Sequence, residues 1–79
     1  MLTKEFNELL LPERKLRVFG EGKLINIFED NKIQKVFFFK MEDLKIDVIY
    51  DKIHNLLIDI KAWENNNERV KFLKLETVV

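Results

Sequence analysis

Apolar and polar residues alternate along much of the chain, and this period of two restricts its fold more than any other feature of the sequence. The segment LKIDVIY at residues 44–50 is the clearest example. Successive side chains of a β-strand point to opposite faces of a sheet, so such a segment predicts a strand with a buried face. The composition agrees, because Ala62 is the single alanine while Ile, Val and Phe, which favour strands, are abundant.

Turn residues between these segments predict an antiparallel meander. The predicted strands are residues 16–19, 23–29, 33–40, 44–50 and 69–77. Gly20-Glu21-Gly22 predicts a hairpin turn, since glycine tolerates the positive φ that tight turns need. Asp30-Asn31 and Met41-Glu42-Asp43 predict the next two connections.

The N-terminal segment has a helical period instead. Leu2, Phe6, Leu9 and Leu10 fall at i, i+4, i+7 and i+8, on one face of a helix. Pro12 is expected to end this helix, because the residue before a proline avoids the helical region. A short helix of this kind must dock on the sheet to be stable.

Residues 51–63 fit two structures. As a helix, they would begin at Asp51 and form one apolar stripe of Ile53, Leu56, Leu57 and Ile60. As a strand, residues 56–62 alternate in polarity, and the Asn-rich loop at 64–68 reads as the next hairpin connection. The β-branched content makes the strand the preferred interpretation. The chain is therefore expected to be mainly β (α+β), with a short N-terminal helix and a five- to six-stranded antiparallel meander.

Both faces of the predicted sheet carry apolar residues. The face that should be polar includes Phe19, Ile25, Ile27, Val36, Phe38, Ile49, Leu57 and Trp63. One short helix is too small to cover this set, so the sheet is expected to curl into a barrel-like form or to pack against a second copy.

Size and composition restrict the class of protein. A chain of 79 residues is expected to form a single domain, residues 1–79. It has no cysteine and one histidine, which excludes disulfides, thiolate metal sites and multi-histidine metal sites. Fourteen basic and fourteen acidic residues cancel, so no surplus of positive charge points to nucleic acid or to a membrane surface.

Hydropathy and codon bias indicate a location and an origin. No apolar run reaches the roughly 20 residues that span a bilayer, and no signal peptide is recognised, so a cytoplasmic location without membrane contact is expected. Lys, Asn, Ile and Phe, which have AT-rich codons, make up 33 residues. This bias indicates an AT-rich bacterial or phage genome.

The chain has few side chains that could act as catalytic nucleophiles, general bases or metal ligands. The chain lacks serine and cysteine, and His54 is interpreted as an ordinary exposed loop residue rather than a general base. The acidic residues Glu42, Asp43, Asp47 and Asp51 match no calcium loop. No catalytic residue, metal site or cofactor is predicted, and an enzyme is not expected.

The leading functional hypothesis is a non-enzymatic protein-interaction module, a regulator or inhibitor that acts through a sheet face or edge, with a homodimer as one form. Its candidate contact residues are Phe19, Phe38, Tyr50 and Trp63, because aromatic side chains commonly anchor protein interfaces.

Two alternatives remain open. The first is a small β-barrel that binds nucleic acid through Arg14, Arg17, Lys35 and Phe37, which combine cations with an aromatic ring. The second is a dimer that binds a small ligand between its two copies.

Overall fold

The computed structural model describes residues 1–29, 33–65 and 67–69, and in them two helices precede a four-stranded antiparallel sheet. The elements are α1 (Thr3–Glu8), α2 (Leu11–Glu21), β1 (Lys23–Glu29), β2 (Gln34–Met41), β3 (Leu44–Asp51) and β4 (Leu56–Trp63). The strands lie in the order β1-β2-β3-β4, so each one pairs with its neighbour in sequence. The predicted mainly β fold and antiparallel meander are therefore confirmed.

The ambiguous region is a strand, as preferred. Residues 52–55 form a turn, and β4 follows from Leu56. Two predicted features lie wholly or mostly outside the described residues: the Asp30-Asn31 turn and the last strand at 69–77. Of that strand only Arg69 is described, and it lies in a helical turn at residues 67–69.

The predicted barrel-like closure and the count of five to six strands are wrong for the described part of the chain. β1 and β4 lie at opposite edges of an open sheet of four strands. Small closed barrels use about five strands or more, so four strands are too few to close.

The predicted strand at 16–19 and the predicted hairpin at 20–22 are also wrong. Both lie in or next to α2, which has its proline at the first helical turn. Proline suits that position because its fixed φ is already helical and its missing N–H has no partner there in any helix. Pro12 therefore begins a second helix rather than only ending the first. Gly22 caps the end of α2 in an extended conformation with φ −79°.

The core lies between the two helices and one face of the sheet, called here the helix face. Phe6 of α1 and Val18 of α2 are completely buried against this face. The strand residues of this core are Phe39, Met41, Leu44, Ile46, Val48, Ile60 and Ala62. Both helices contact β4, and α2 also contacts β2. Neither helix makes comparable contact with the part of the helix face that β1 forms.

The opposite face of the sheet, called here the second face, is also buried in part. It carries Val36, Phe38, Asp47, Ile49 and Trp63, which occupy alternate positions to the core residues of the same strands. All of these except the half-buried Phe38 are buried. Both faces of the sheet are therefore apolar, as predicted. The predicted membership of the second face is wrong for three residues, since Phe19, Ile27 and Leu57 lie on the helix face.

Candidate functional site

An open groove of about 800 Å³ lies on the helix face, between the end of α2 and the first three strands. We call it the aromatic groove. Its lining residues are Phe19, Leu24, Glu29, Lys35, Phe37, Phe39, Tyr50, Asp51, Lys52 and Asn55. The groove exists because α1 and α2 make their main contacts with β4 and β2 rather than with β1.

Two aromatic pairs form the wall and floor of the groove. Phe19 meets Phe39 edge-to-face with 5.7 Å between ring centroids, and Phe37 meets Tyr50 in the same manner at 5.6 Å. Such pairs hold their rings in fixed orientations. Phe19 is nevertheless 48% exposed, so its ring presents a large apolar surface to the open side of the groove.

The polar end of the groove is close to neutral. Glu29 lies 3.5 Å from the Lys35 ammonium and 3.4 Å from that of Lys52. Lys52 first, and Lys35 second, hold the pKa of the Glu29 carboxyl below its usual value. The Lys35 ammonium also lies 5.3 Å from the centre of the Phe37 ring. These cations are therefore engaged with Glu29 and an aromatic ring.

The turn beside this end is built around Asp51. Its Oδ1 accepts hydrogen bonds from the backbone N–H groups of Ile53 and His54, and its Oδ2 lies 2.8 Å from His54 Nδ1. The side-chain contact with His54 is the main reason that the pKa of Asp51 is lowered. His54 thus completes an exposed turn, in agreement with its interpretation as a loop residue.

The four predicted contact residues do not share one surface. Phe19 and Tyr50 lie in the aromatic groove, whereas Phe38 and Trp63 lie on the second face. Trp63 is buried, with the Lys61 ammonium 4.5 Å from its ring centre. Only the first two are placed to form a joint contact surface.

The four residues predicted to bind nucleic acid also lie on different parts of the surface. Arg14 points to the edge of β4, where it donates hydrogen bonds to the Asp59 carboxylate and to the backbone oxygen of Ile60. Arg17 pairs with Glu21 on the surface of α2. The structure brings together only Lys35 and Phe37, in the groove. The alternative stays a prediction.

The two edges of the sheet differ. The edge of β4 is occupied by side chains, since Asn7 donates to the Ala62 carbonyl at 2.9 Å and accepts from the Ala62 N–H at 2.8 Å. Arg14 occupies the neighbouring Ile60 carbonyl. The edge of β1 is open in the described part of the chain, and its apolar residues Leu24, Ile25 and Ile27 are exposed.

A buried ion pair on the second face was not foreseen. Asp47 is fully buried and accepts two hydrogen bonds from Arg69, at 2.5 and 2.9 Å. The guanidinium also lies over the rings of Phe28 and Phe38, at 5.1 and 4.6 Å. The signal in the sequence was an aspartate in the middle of the apolar strand segment 44–50.

Among residues 1–29, 33–65 and 67–69, no group of three or more His, Asp or Glu side chains is arranged to hold a metal ion. Neither described helix is long and apolar enough to cross a membrane.

Comparison with known proteins does not add a relative. No protein-family model, curated protein or solved structure matches the chain.

Proposed function

We propose that this chain is a non-enzymatic protein-interaction module that binds an amphipathic helix of another protein in the aromatic groove. The observation that carries the proposal is the aromatic groove itself. It lies open on the helix face, is lined by aromatic rings, and is not filled by α1 or α2. A role as regulator or inhibitor belongs to the same proposal, because such a role needs binding and no chemistry.

The shape of the groove favours a helix as the bound segment. Helices pack on sheets in layers, each covering its apolar stripe against the sheet. On this face α1 and α2 pack mainly on β4 and on part of β2, and neither of these helices lies in the aromatic groove beside them. A partner helix lying there would contact Phe19 from one side and the sheet from below. This is the helix-in-groove mode of recognition, in which the bound helix places apolar side chains at i, i+3, i+4 and i+7 into the groove.

The chemistry of the groove favours an apolar contact. Its walls are aromatic and aliphatic, and at the polar end the two carboxylates of Glu29 and Asp51 balance the charges of Lys35 and Lys52. Exposed aromatic side chains at the centre of a pocket are frequent anchors of binding energy. Selection of the partner would therefore rest on shape and apolar surface rather than on charge.

A selection from a library of amphipathic 18-residue peptides tests the proposal. The chain should recover peptides with apolar residues at helical spacing and bind them with micromolar affinity, measured by fluorescence anisotropy. Phe19→Asp should weaken this binding at least tenfold, because it places a charge in the apolar wall of the groove. Chemical shifts in NMR spectra should change at Phe37 and Tyr50.

Leu16→Asp is the matched control. Leu16 lies on the same helix and is 75% exposed, but it lies outside the groove. This variant should bind the selected peptides as the unsubstituted chain does. Failure to recover helical peptides, or equal binding by both aspartate variants, would show that the groove is not the binding surface.

A further inference from the structure

Three lysines lie directly opposite one another on neighbouring strands. Lys23 of β1 is paired with Lys40 of β2, and Lys40 is paired with Lys45 of β3. Directly opposite residues project from the same face of a sheet, and here this is the second face, which also carries Phe38 and Asp47. We call these three residues the lysine row. Lys61, which packs on Trp63 opposite Lys45, adds a fourth cation at the same end of the face.

The lysine row is exposed and lacks ion-pair partners among the residues that the structure describes. The nearby acidic side chains of the described segments do not pair with the lysine row. Glu42 binds the N-terminal ammonium at 3.1 Å, and Asp47 is held by Arg69. Asp43, in the turn between β2 and β3, forms no ion pair with either neighbouring lysine. The row is therefore a local concentration of positive charge on a chain whose formal net charge is zero.

Protection of a sheet edge does not explain this arrangement. Edge strands often carry lysine to discourage pairing with other chains, and this accounts for Lys23. Lys40 and Lys45 lie on the interior strands β2 and β3, where no edge needs protection. Like charges directly opposite each other destabilise a sheet, so two such pairs side by side oppose folding. A bound anion would remove that repulsion.

We propose that the lysine row binds an anion that carries two or more phosphate groups. Strands lie about 4.8 Å apart, so the row extends over roughly 10 Å, a length that spans consecutive phosphate groups. Lysine binds phosphate as a point charge with three N–H donors and makes no demand on ligand planarity. The site lies on the face opposite the aromatic groove, so it does not depend on the function proposed there.

Inorganic tripolyphosphate is the probe for the first experiment. Thermal unfolding and isothermal titration should show saturable binding and a rise in Tm that sodium chloride at equal ionic strength does not reproduce. Lys40→Gln should weaken the affinity at least fivefold. Lys15→Gln, which removes an exposed lysine of α2 outside the row, should leave it unchanged.

A second variant separates binding from folding. Lys40→Glu should raise Tm in the absence of anion, because the carboxylate lies between two lysines, and should abolish the further rise with tripolyphosphate. The proposal would be overturned if tripolyphosphate raised the Tm of the Lys15 and Lys40 variants equally. It would also be overturned if sodium chloride at equal ionic strength gave the same rise in Tm.

The source of the phosphate groups is distinguished by competition. A nucleoside triphosphate that displaces tripolyphosphate more effectively than a single-stranded oligonucleotide would identify a small phosphorylated ligand. The reverse order would identify a nucleic-acid backbone, whose affinity should fall steeply with salt. Displacement by an acidic peptide of equal charge, at equal strength, would contradict recognition of phosphate.

Discussion

Arg69 stabilises the second face through a buried ion pair. Its side chain is 12% exposed and bonds the fully buried Asp47. Breaking a buried pair leaves one charge without compensation, which destabilises a protein by about 3–5 kcal/mol. Arg69→Met should lower the free energy of unfolding by an amount in that range, measured by urea denaturation.

The double variant Asp47→Leu/Arg69→Met is the control for this effect. It removes both charges, and buried pairs replaced by apolar residues of similar size often lose little stability. The double variant should therefore recover most of the loss. If it is as unstable as Arg69→Met alone, packing of the guanidinium on Phe28 and Phe38 matters more than the charge pair.

Asp51 makes the stability of the chain depend on pH in the acid range. Its folded-state pKa is lowered by His54, so its contribution is present above the pKa of the unfolded chain and is lost as the pH falls through the folded pKa. Asp51→Asn should reduce stability at pH 6, and the difference should shrink below about pH 4, near the ordinary pKa of aspartate.

Urea unfolding between pH 3 and pH 7 measures this difference. Asparagine retains a side-chain oxygen for the backbone N–H groups of Ile53 and His54, so the variant isolates the charge. His54→Ala should weaken the same pH dependence. A difference that stays constant over this range would show that the charge of Asp51 does not contribute.

At the scale of elements, the end of α2 can be tested with its two glycines. A Cβ at Gly22 would lie 2.5 Å from the Val18 carbonyl oxygen and 3.3 Å from Phe39, whereas one at Gly20 would meet nothing within 4 Å. Gly22→Ala should destabilise the chain by about 1–3 kcal/mol through overpacking. Gly20→Ala should stabilise it by about 0.5–1 kcal/mol, because alanine favours the helix.

Urea unfolding of the two variants side by side provides the comparison, since each serves as the control for the other. Opposite signs are the expected result. If both substitutions stabilise the chain, the space around Gly22 is not as tight as the 2.5 Å distance to the Val18 carbonyl oxygen requires.

The strands were predictable from sequence because their pattern is regular. β3 has seven residues of nearly strict alternation, and Phe37-Phe38-Phe39 gives β2 a strong strand preference. β4 was harder, since its apolar residues also fit a helical stripe, and the β-branched content decided it correctly.

The sequence does not predict α2 because the apolar residues of this short segment fit the period of a strand as well as that of a helix. Leu16 and Val18 alternate with polar residues, yet Leu11 and Val18 lie two helical turns apart, and Val18 is the one buried. The aromatic groove depends on this helix, since Phe19 forms its wall from α2. Sequence reasoning therefore named Phe19 and Tyr50 as contact residues but could not place them together.

At the scale of the whole molecule, the edge of β1, which no strand among the described residues covers, is where we expect the predicted second copy to pair. Ile27 on β1 and Ile58 on β4 are similarly exposed, at 45% and 47%. If copies pair through β1, sedimentation equilibrium should show dimers, and Ile27→Lys should weaken them at least tenfold. Ile58→Lys should have little effect. A chain that remains monomeric at high concentration would contradict this expectation.

The side chains on the β4 edge limit how far such association can proceed. Asn7 occupies both backbone groups of Ala62, and Arg14 occupies the carbonyl of Ile60, so an incoming strand finds these positions filled. A sheet that grows at both edges can polymerise into a fibre, but one with a single growing edge stops after one addition. If copies do pair through β1, each copy would therefore have a functionality of one in terms of polymer growth, and association would stop at pairs.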